Sequence, residues 1–436
     1  MGADQTRAGR DGGRVNWVYS TLPVSLATGS IGTLVQLYII QLNGITAGTL
    51  YASLAVAFFN GVSIPAAIFW GFTTDRLHQR KAVIFASYLV MASVLVSFYG
   101  QDTVGTIAQY SVFSFISAAA ATPLNLLIME SEPKNRWAGA FAKLSMASGV
   151  GNVIGLILST VWVQAFPLIL LSVPFGIFSF ISAILTLWMV REPAFILERE
   201  SIVLRRPSFF SRLLALPLMF LSVPRVSDFK RAFRGLRYGL TSYLPLLYIS
   251  IICFYLSSGI FNTSYVPALS SFSLTSGEIF GVILSGVVVQ TLAFQYFGRY
   301  IGRRSLIAVT VVGLFLRTAS YLGSGVFALI LPRPLYVLPA LVLYPLGSGL
   351  GFAIYYTASN TMIFNTVKSS PGSTLGVYSA IVGTATFAGS ILSGFVSIAF
   401  GFAATFLAGG LLLVVATGVA LRLGRLESVP SPAATS

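Results

Sequence analysis

The chain has 436 residues, of which 56% are hydrophobic and only 9% are charged, and its formal net charge is +15. A soluble domain carries about 25% charged residues, so this composition excludes an ordinary water-soluble protein. Apolar runs of membrane-spanning length recur along the chain and predict an all-α membrane protein. The runs are continuous rather than alternating, which argues against a membrane β-barrel.

The first half of the chain predicts a polar tail followed by six membrane-spanning helices. Residues 1–16 are polar and basic and lack the features of a cleaved signal peptide, so we interpret them as a retained tail. Residues 17–190 are predicted to form an N-terminal six-helix bundle. Its spans are expected near Trp17–Ile40, Ala47–Trp70, Ala82–Gly100, Val104–Met129, Ala138–Ala165 and Pro167–Val190.

The second half predicts a linker and six further spans. Residues 191–242 are basic and apolar, and Pro207, Pro217 and Pro224 limit any helix there to short pieces. Residues 243–425 are predicted to form a C-terminal bundle, followed by a tail at residues 426–436. The spans are expected near Tyr243–Ala268, Gly277–Phe297, Ser305–Phe327, Leu335–Phe364, Gly372–Ala399 and Phe402–Leu421, which makes twelve transmembrane helices in all.

The basic residues alternate between loops. Of the 27 Lys and Arg residues, 25 lie in the tails, the linker or every second loop region. Because cytoplasmic loops are enriched in Lys and Arg, we predict that both termini and the linker are cytoplasmic, in the plasma (cytoplasmic) membrane. The same loops would attract anionic lipids. The positive charge therefore does not indicate binding to nucleic acid.

Two local patterns predict helix ends and helix contacts. Thr275 and Glu278 have the spacing of a capping box at the start of the eighth span. Small residues in the fifth and eleventh spans permit close helix contact, although ordinary packing is the favoured interpretation of any single glycine. The glycines concerned are Gly139, Gly149, Gly151, Gly155, Gly376, Gly383 and Gly389.

The turns after the second and eighth spans resemble each other. The first reads GFTTDRLHQRK, beginning at Gly71, and the second reads FGRYIGRRS, beginning at Phe297. Aligning the turns superposes Arg76, Arg80 and Lys81 on Arg299, Arg303 and Arg304. Over nearly its whole length the chain resembles the major facilitator superfamily, whose loop motif is Gly-x-x-x-Asp-Arg-x-Gly-Arg-Arg/Lys. Gln79 and Gly298 depart from that motif.

The resemblance implies alternating access, in which two parallel repeats rock around a central site. Cytoplasmic contacts must then form in one state and break in the other. We expect Asp75 near the N-terminus of the eleventh span, where free backbone N–H groups stabilise a carboxylate, and Arg80 and Lys81 near Glu130 or Glu132. Anchoring of the basic loops at the membrane is the alternative role. The gating candidates are Gly71, Asp75, Arg76, Arg80, Lys81, Glu130, Arg136, Arg299, Arg303 and Arg304.

In this family the first, fourth, seventh and tenth spans line the cavity, so their polar residues are the binding candidates. They are Gln36, Gln109, Asn125, Tyr255, Asn262, Tyr355, Tyr356 and Asn360. Each alone has an alternative role as a helix–helix hydrogen bond, since unpaired polar groups are costly in hydrocarbon. As a set they predict a neutral or weakly polar small-molecule solute. The centres of the spans hold no Asp or Glu that would couple transport to protons.

Arg317 is the one charged residue predicted well inside a span. The ninth span is usually peripheral in this family, so we expect the side chain to snorkel outward towards the head groups. The alternative is an anion contact or a pair with a distant carboxylate.

The leading functional hypothesis is a secondary active or facilitated transporter of a small organic solute. The alternative is a non-transporting solute sensor of the same fold. One His and one Cys leave little material for a metal cluster or a nucleophilic triad, so we predict no enzyme, no metal and no cofactor. The protein is expected to be a monomer.

Overall fold

The computed structural model describes residues 16–77, 79–131, 137–190, 243–300, 305–366 and 371–427. Within these ranges the chain forms helices and short turns, as the composition predicts. The N-terminal half contains α1 (Leu22–Leu77), α2 (Arg80–Val96), α3 (Thr103–Ser131), α4 (Trp137–Ala165) and α5 (Ser172–Met189). The C-terminal half contains α6 (Tyr243–Ser271), α7 (Ser276–Tyr300), α8 (Leu306–Ile330), α9 (Val337–Tyr344), α10 (Phe352–Thr366) and α11 (Pro371–Glu427). The linker at residues 191–242 lies outside the described residues.

Nine helical segments in the described ranges are long and apolar enough to cross a membrane. Two helices, α1 and α11, are each divided by a glycine with positive φ, which is 73° at Gly44 and 82° at Gly401. This backbone region is open to glycine and strained for other residues. Both glycines fall between predicted spans. The all-α membrane fold is thus confirmed, and the number of twelve spans stays a prediction.

The tenth predicted span is not one regular helix. A π-helix, Pro345–Gly351, joins α9 to α10. Its sequence, PLGSGLG, is rich in glycine, so its backbone approaches its neighbours closely: a Cβ on Gly351 would lie 3.1 Å from the backbone nitrogen of Arg317 on α8. Helices of this type are frequent at functional sites, and this one contains Ser348.

Each half contains a close crossing of two helices at a glycine. In the N-terminal half a Cβ on Gly155 of α4 would collide with the carbonyl oxygen of Leu26 on α1. In the C-terminal half a Cβ on Gly389 of α11 would collide with the carbonyl oxygen of Leu256 on α6. Van der Waals packing of this kind holds helices together where lipid removes the hydrophobic driving force. The close contact that the glycine spacing permits is present at these two glycines.

The predicted capping box begins α7. The backbone N–H and the hydroxyl of Thr275 donate to Oε2 of Glu278 at 2.7 and 2.9 Å, and the N–H of Glu278 donates to Oγ1 of Thr275 at 3.3 Å. The reciprocal bonds satisfy backbone groups that the first turn of a helix leaves unpaired.

The outer surface of the helices is apolar. Large side chains such as Trp188, Phe315 and Phe400 are 66–78% exposed. Such a surface suits hydrocarbon, while the helices satisfy their own backbone hydrogen bonds. The chain is therefore a multi-pass membrane protein.

Candidate functional site

A polar cluster joins the two halves where α1 meets α11. Nδ2 of Asn60 donates to Oγ of Ser390 at 3.3 Å, and Oγ1 of Thr263 on α6 donates to the same oxygen at 3.0 Å. Next to it, a Cβ on Gly61 would lie 3.0 Å from the ring of Phe387. Sequence reasoning missed this cluster, although Asn60 is a polar residue inside the apolar stretch AFFNGVS.

A second contact between the halves lies where α4 meets α7. A Cβ on Gly149 would lie 3.0 Å from Cγ2 of Thr291, so the helices touch at a small residue here as well. In the predicted repeat, α4 corresponds to the first part of α11, and the second part of α1 corresponds to α7. The two contacts are therefore related by the same repeat.

The contacts along α1 and α11 are concentrated in one part of these helices. They extend from Ser53 beside Gly394 to Ile64 beside Gly383. Ser53 lies nine residues after the turn at Gly44, and Ile64 lies thirteen residues before the end of α1 at Leu77. Further along α1, Gly71 has no atom within 4 Å of a Cβ built on it.

Three of the predicted binding residues lie close together in the C-terminal half. The hydroxyls of Tyr255 and Tyr378 are 3.1 Å apart, and Asn360 is within hydrogen-bonding reach of Tyr378. The ring of Tyr355 stacks on Phe254, the neighbour of Tyr255, with 3.7 Å between centroids. These side chains connect α6, α10 and α11.

Two other predicted residues of this half are exposed near the same helices. Asn262 accepts a hydrogen bond at Oδ1 from Oγ of Ser348, at 3.2 Å. The ring of Tyr356 is 40% exposed and lies 5.6 Å from that of Phe352. Because an exposed amide is costly in hydrocarbon, the space beside Asn262 is better suited to water or a polar solute than to lipid.

The predicted binding residues of the N-terminal half are not joined into one cluster. Gln36 is 7% exposed, and its Oε1 has no hydrogen-bond partner. Nε2 of Gln109 donates to the backbone oxygen and to Oγ of Ser97, at 3.0 and 3.1 Å, where α2 ends. Asn125 is exposed. Their roles in binding stay predictions.

Among the gating candidates, Arg80 is buried and donates through Nη1 to the backbone oxygen of Thr74 in the last turn of α1. Lys81 is half-buried. A cation at the C-terminal end of a helix is electrostatically favourable, so Arg80 supports the turn itself. Seven other gating candidates lie outside the described part of the chain. They are the side chains of Asp75, Arg76, Glu130 and Arg299 and the whole residues Arg136, Arg303 and Arg304.

The expectation that Arg317 snorkels outward is wrong. The side chain is 0% exposed, so it does not snorkel outward. It points into the C-terminal half and lies over the rings of Phe254 and Phe352, with 4.5 and 5.2 Å from Cζ to the centroids. The aromatic faces attract the cation, which explains why it turns inward from α8.

No set of three or more His, Cys, Asp or Glu that suits a metal ion occurs within the described ranges. Apart from Arg80 and Lys81 at the turn after α1, the donors described above are amides, hydroxyls and the guanidinium of Arg317. Groups of this kind are chemically suited to hydrogen bonding with a solute.

Comparison with known proteins identifies the family. Residues 18–247, more than half of the chain, match the model of the Major Facilitator Superfamily. The chain belongs to the major facilitator superfamily. The predicted resemblance is therefore confirmed.

Solved structures show the fold of this superfamily along almost the whole chain. The crystal structure of a mutant of the nucleoside transporter NupG has a TM-score of 0.62 at 16% identity, and the match covers 93% of this chain and 98% of that one. A POT family transporter in complex with a thioalcohol-conjugated peptide has a TM-score of 0.65 at 13% identity, with 95% and 96% covered. No curated protein matches the sequence. Superfamily membership supports solute transport rather than catalysis.

Proposed function

We propose that this chain moves a small organic solute across the membrane by alternating access, as a secondary active or facilitated transporter. The main support is the position of the contacts between the bundles. They run from Ser53 to Ile64, in the middle of the stretch between Gly44 and Leu77, whereas a Cβ built on Gly71 would meet no described atom within 4 Å. With the termini in the cytoplasm, the bundles would meet near the middle of the membrane and part towards the inner side, where Gly71 lies.

The interface is suited to opening. The described contacts between α1 and α11 consist of glycines beside small or apolar groups and of one hydrogen bond between neutral side chains, from Asn60 to Ser390. A neutral hydrogen bond contributes about 0.5–1.5 kcal/mol net. Contacts of this size would break and re-form during a transport cycle.

The remaining parts of the proposal follow from the sequence. The protein would act as a monomer in the plasma membrane, with the two bundles at residues 17–190 and 243–425 and basic loops near anionic lipids. The solute would bind between the bundles near the eight polar residues from Gln36 to Asn360. No metal or cofactor takes part.

A reversible clamp tests alternating access. A Cβ on Gly394 would lie 2.8 Å from Cβ of Ser53, and a disulfide needs about 3.5–4.5 Å between these atoms. After replacement of the only cysteine, Cys253→Ala, the pair Ser53→Cys and Gly394→Cys should cross-link after a small adjustment. Uptake into proteoliposomes is measured for labelled sugars, amino acids, nucleosides, short peptides and organic acids. Oxidation should abolish uptake, and a reductant should restore it.

Each single-cysteine variant, oxidised in the same way, is the control and should keep full uptake. Cross-linked protein that transports at the normal rate would contradict alternating access. The solute sensor is the second candidate function. It predicts binding of a solute by the purified protein without uptake of any compound in the panel.

A further inference from the structure

Arg317 is a buried cation with an unused donor. Its Nε donates to the hydroxyl of Tyr321 at 2.8 Å, and Nη2 donates to the same oxygen. Nη1 has no partner, and within the described ranges the hydrogen bonds of this guanidinium go to Tyr321 alone. Arg317 lies near the middle of α8, far from either end of the helix.

A contribution to the stability of the fold does not explain why this cation is buried. A buried cation loses its hydration, and it needs both a counter-charge and satisfied hydrogen bonds to compensate. The ring faces of Phe254, Tyr321 and Phe352, whose centroids lie 4.5–5.2 Å from Cζ, supply part of this compensation. Ionisable residues at membrane depth usually mark solute or ion pathways.

The contacts of Arg317 set the direction of a chain of hydrogen bonds. Arginine has only donors, so the oxygen of Tyr321 accepts, and its own proton must point to another acceptor. The nearest such side chain is Ser348 of the π-helix, which lies close enough to that hydroxyl to interact with it. Ser348 then gives its own proton to Oδ1 of Asn262, at 3.2 Å.

Asn262 therefore presents a donor. Its carbonyl oxygen is occupied by Ser348, whereas its Nδ2 makes no hydrogen bond to any part of the chain that the structure describes. The side chain is exposed and lies nine residues before the end of α6 at Ser271. That is about 14 Å along the helix, roughly half the thickness of the hydrocarbon core.

We infer that Asn262 and Ser348 form a subsite that binds a carboxylate group of the transported solute. Arg317 orients the two side chains through Tyr321. The amide donor meets the carboxylate, and the uncompensated charge of Arg317 behind it favours a negative group. The inference rests on the proposed transport function and replaces the neutral solute expected from the sequence. Arg317 is a positioning residue, because it acts through Tyr321.

The test measures binding to the purified full-length protein. Small mono- and dicarboxylates, including benzoate and lactate, are compared with their neutral amides in thermal-shift titrations. Carboxylates should raise the melting temperature with dose, as expected for a ligand of the folded state, and the amides should have little effect. Asn262→Asp puts an acceptor and a negative charge in place of the donor. It should weaken carboxylate binding at least tenfold, about 1.4 kcal/mol.

The matched control is Gln164→Glu, the same change from amide to acid at an exposed position near the end of α4. It should leave carboxylate binding unchanged. Since Asn262 is also exposed, Asn262→Asp should fold, and its melting temperature without ligand should be normal. Equal stabilisation by acids and amides, or no stabilisation by any acid, would overturn the inference. Uptake of a neutral solute in the same preparation would still support the proposed function.

Two buried variants separate positioning from structural support. The ring of Tyr321 stacks on Phe261 with 3.6 Å between centroids. Tyr321→Phe keeps this stacking and the charge of Arg317, but it breaks the hydrogen-bond chain. Arg317→Met removes the charge at similar volume, a change that is often neutral or stabilising for a buried ion. Both should lower the ratio of acid to amide affinity at least tenfold. Arg317→Met with a lower melting temperature and an unchanged ratio would show a structural role and overturn the inference.

Discussion

Asn60 donates a hydrogen bond to Ser390 across the interface of the two bundles, with 3.3 Å between Nδ2 and Oγ. The same oxygen accepts from Thr263 at 3.0 Å, and the hydroxyl of Ser390 donates to the backbone oxygen of Thr386 at 2.9 Å. Ser390 therefore connects α1, α6 and α11 at one point. Its acceptor capacity is used fully, by one donor from each bundle.

Replacing Ser390 by Ala should shift the balance between transport states. The change removes the acceptor for Asn60 and weakens the contact between the bundles in this state by about 1 kcal/mol. A cysteine introduced at Gly71, where the surroundings are open, reports the inward-open state in a Cys253→Ala background. Its labelling rate should fall about fivefold.

Ser393→Ala is the matched control on the same helix. Ser393 donates to the backbone oxygen of Ile260, at 2.8 Å, within the C-terminal bundle. Labelling at Gly71→Cys should stay unchanged in this variant. The same rate in Ser390→Ala and in the parent would contradict the role of Ser390 between the bundles.

Replacing Asp75 by Asn should have the opposite effect. In the sequence-based interpretation, this carboxylate closes the cytoplasmic side at the N-terminus of α11 and contributes roughly 0.3–2 kcal/mol there. Its loss would favour the inward-open state and raise labelling of Gly71→Cys. The control is Asp102→Asn at the opposite end of the protein, where Asp102 accepts from the N–H of Gly105 at 2.8 Å. Equal labelling in the two variants would rule out the latch.

Replacing Gly389 by Val should loosen the C-terminal bundle. The new side chain would meet the carbonyl oxygen of Leu256 and the Cα of Gly259. Overpacking of this kind costs about 1–3 kcal/mol, so the melting temperature in detergent should fall. Gly418→Val, on the same helix with open space around its Cα, is the control and should melt close to the parent. Similar melting temperatures for the two variants would refute the close crossing.

Replacing Gly44 by Ala should strain the turn inside α1. Its φ of 73° and ψ of 177° lie in a region that is essentially restricted to glycine, at a cost of about 1–3 kcal/mol for other residues. The free energy of unfolding should fall by that amount in thermal or denaturant titrations. Gly281→Ala, in regular helix with nothing within 4 Å of its Cβ, should be neutral or slightly stabilising. A neutral effect of Gly44→Ala would contradict the described turn.

Features that depend on residues close together in the sequence were predictable. The capping box of Thr275 and Glu278 needs only their spacing, and both hydrogen bonds of the box are present. The spacing of Gly155 and Gly389 permitted close helix contacts, but it did not tell which glycine makes one or with which partner. The turn at Gly44 lies between two predicted spans. The candidate site was predictable only as a group of polar residues on cavity-lining spans.

The sequence by itself determined that this is an all-α membrane protein with two similar halves, because hydrophobic length, loop charge and helix caps are local properties of the chain. Only the tertiary structure decided which groups meet. Asn60 and Ser390 are 330 residues apart, and their contact depends on how the bundles pack. The direction of Arg317 depends on the rotation of α8, which places the guanidinium group beside the rings of Phe254, Tyr321 and Phe352. A charge in a span is visible in the sequence, but the face of the helix that meets lipid is set by packing.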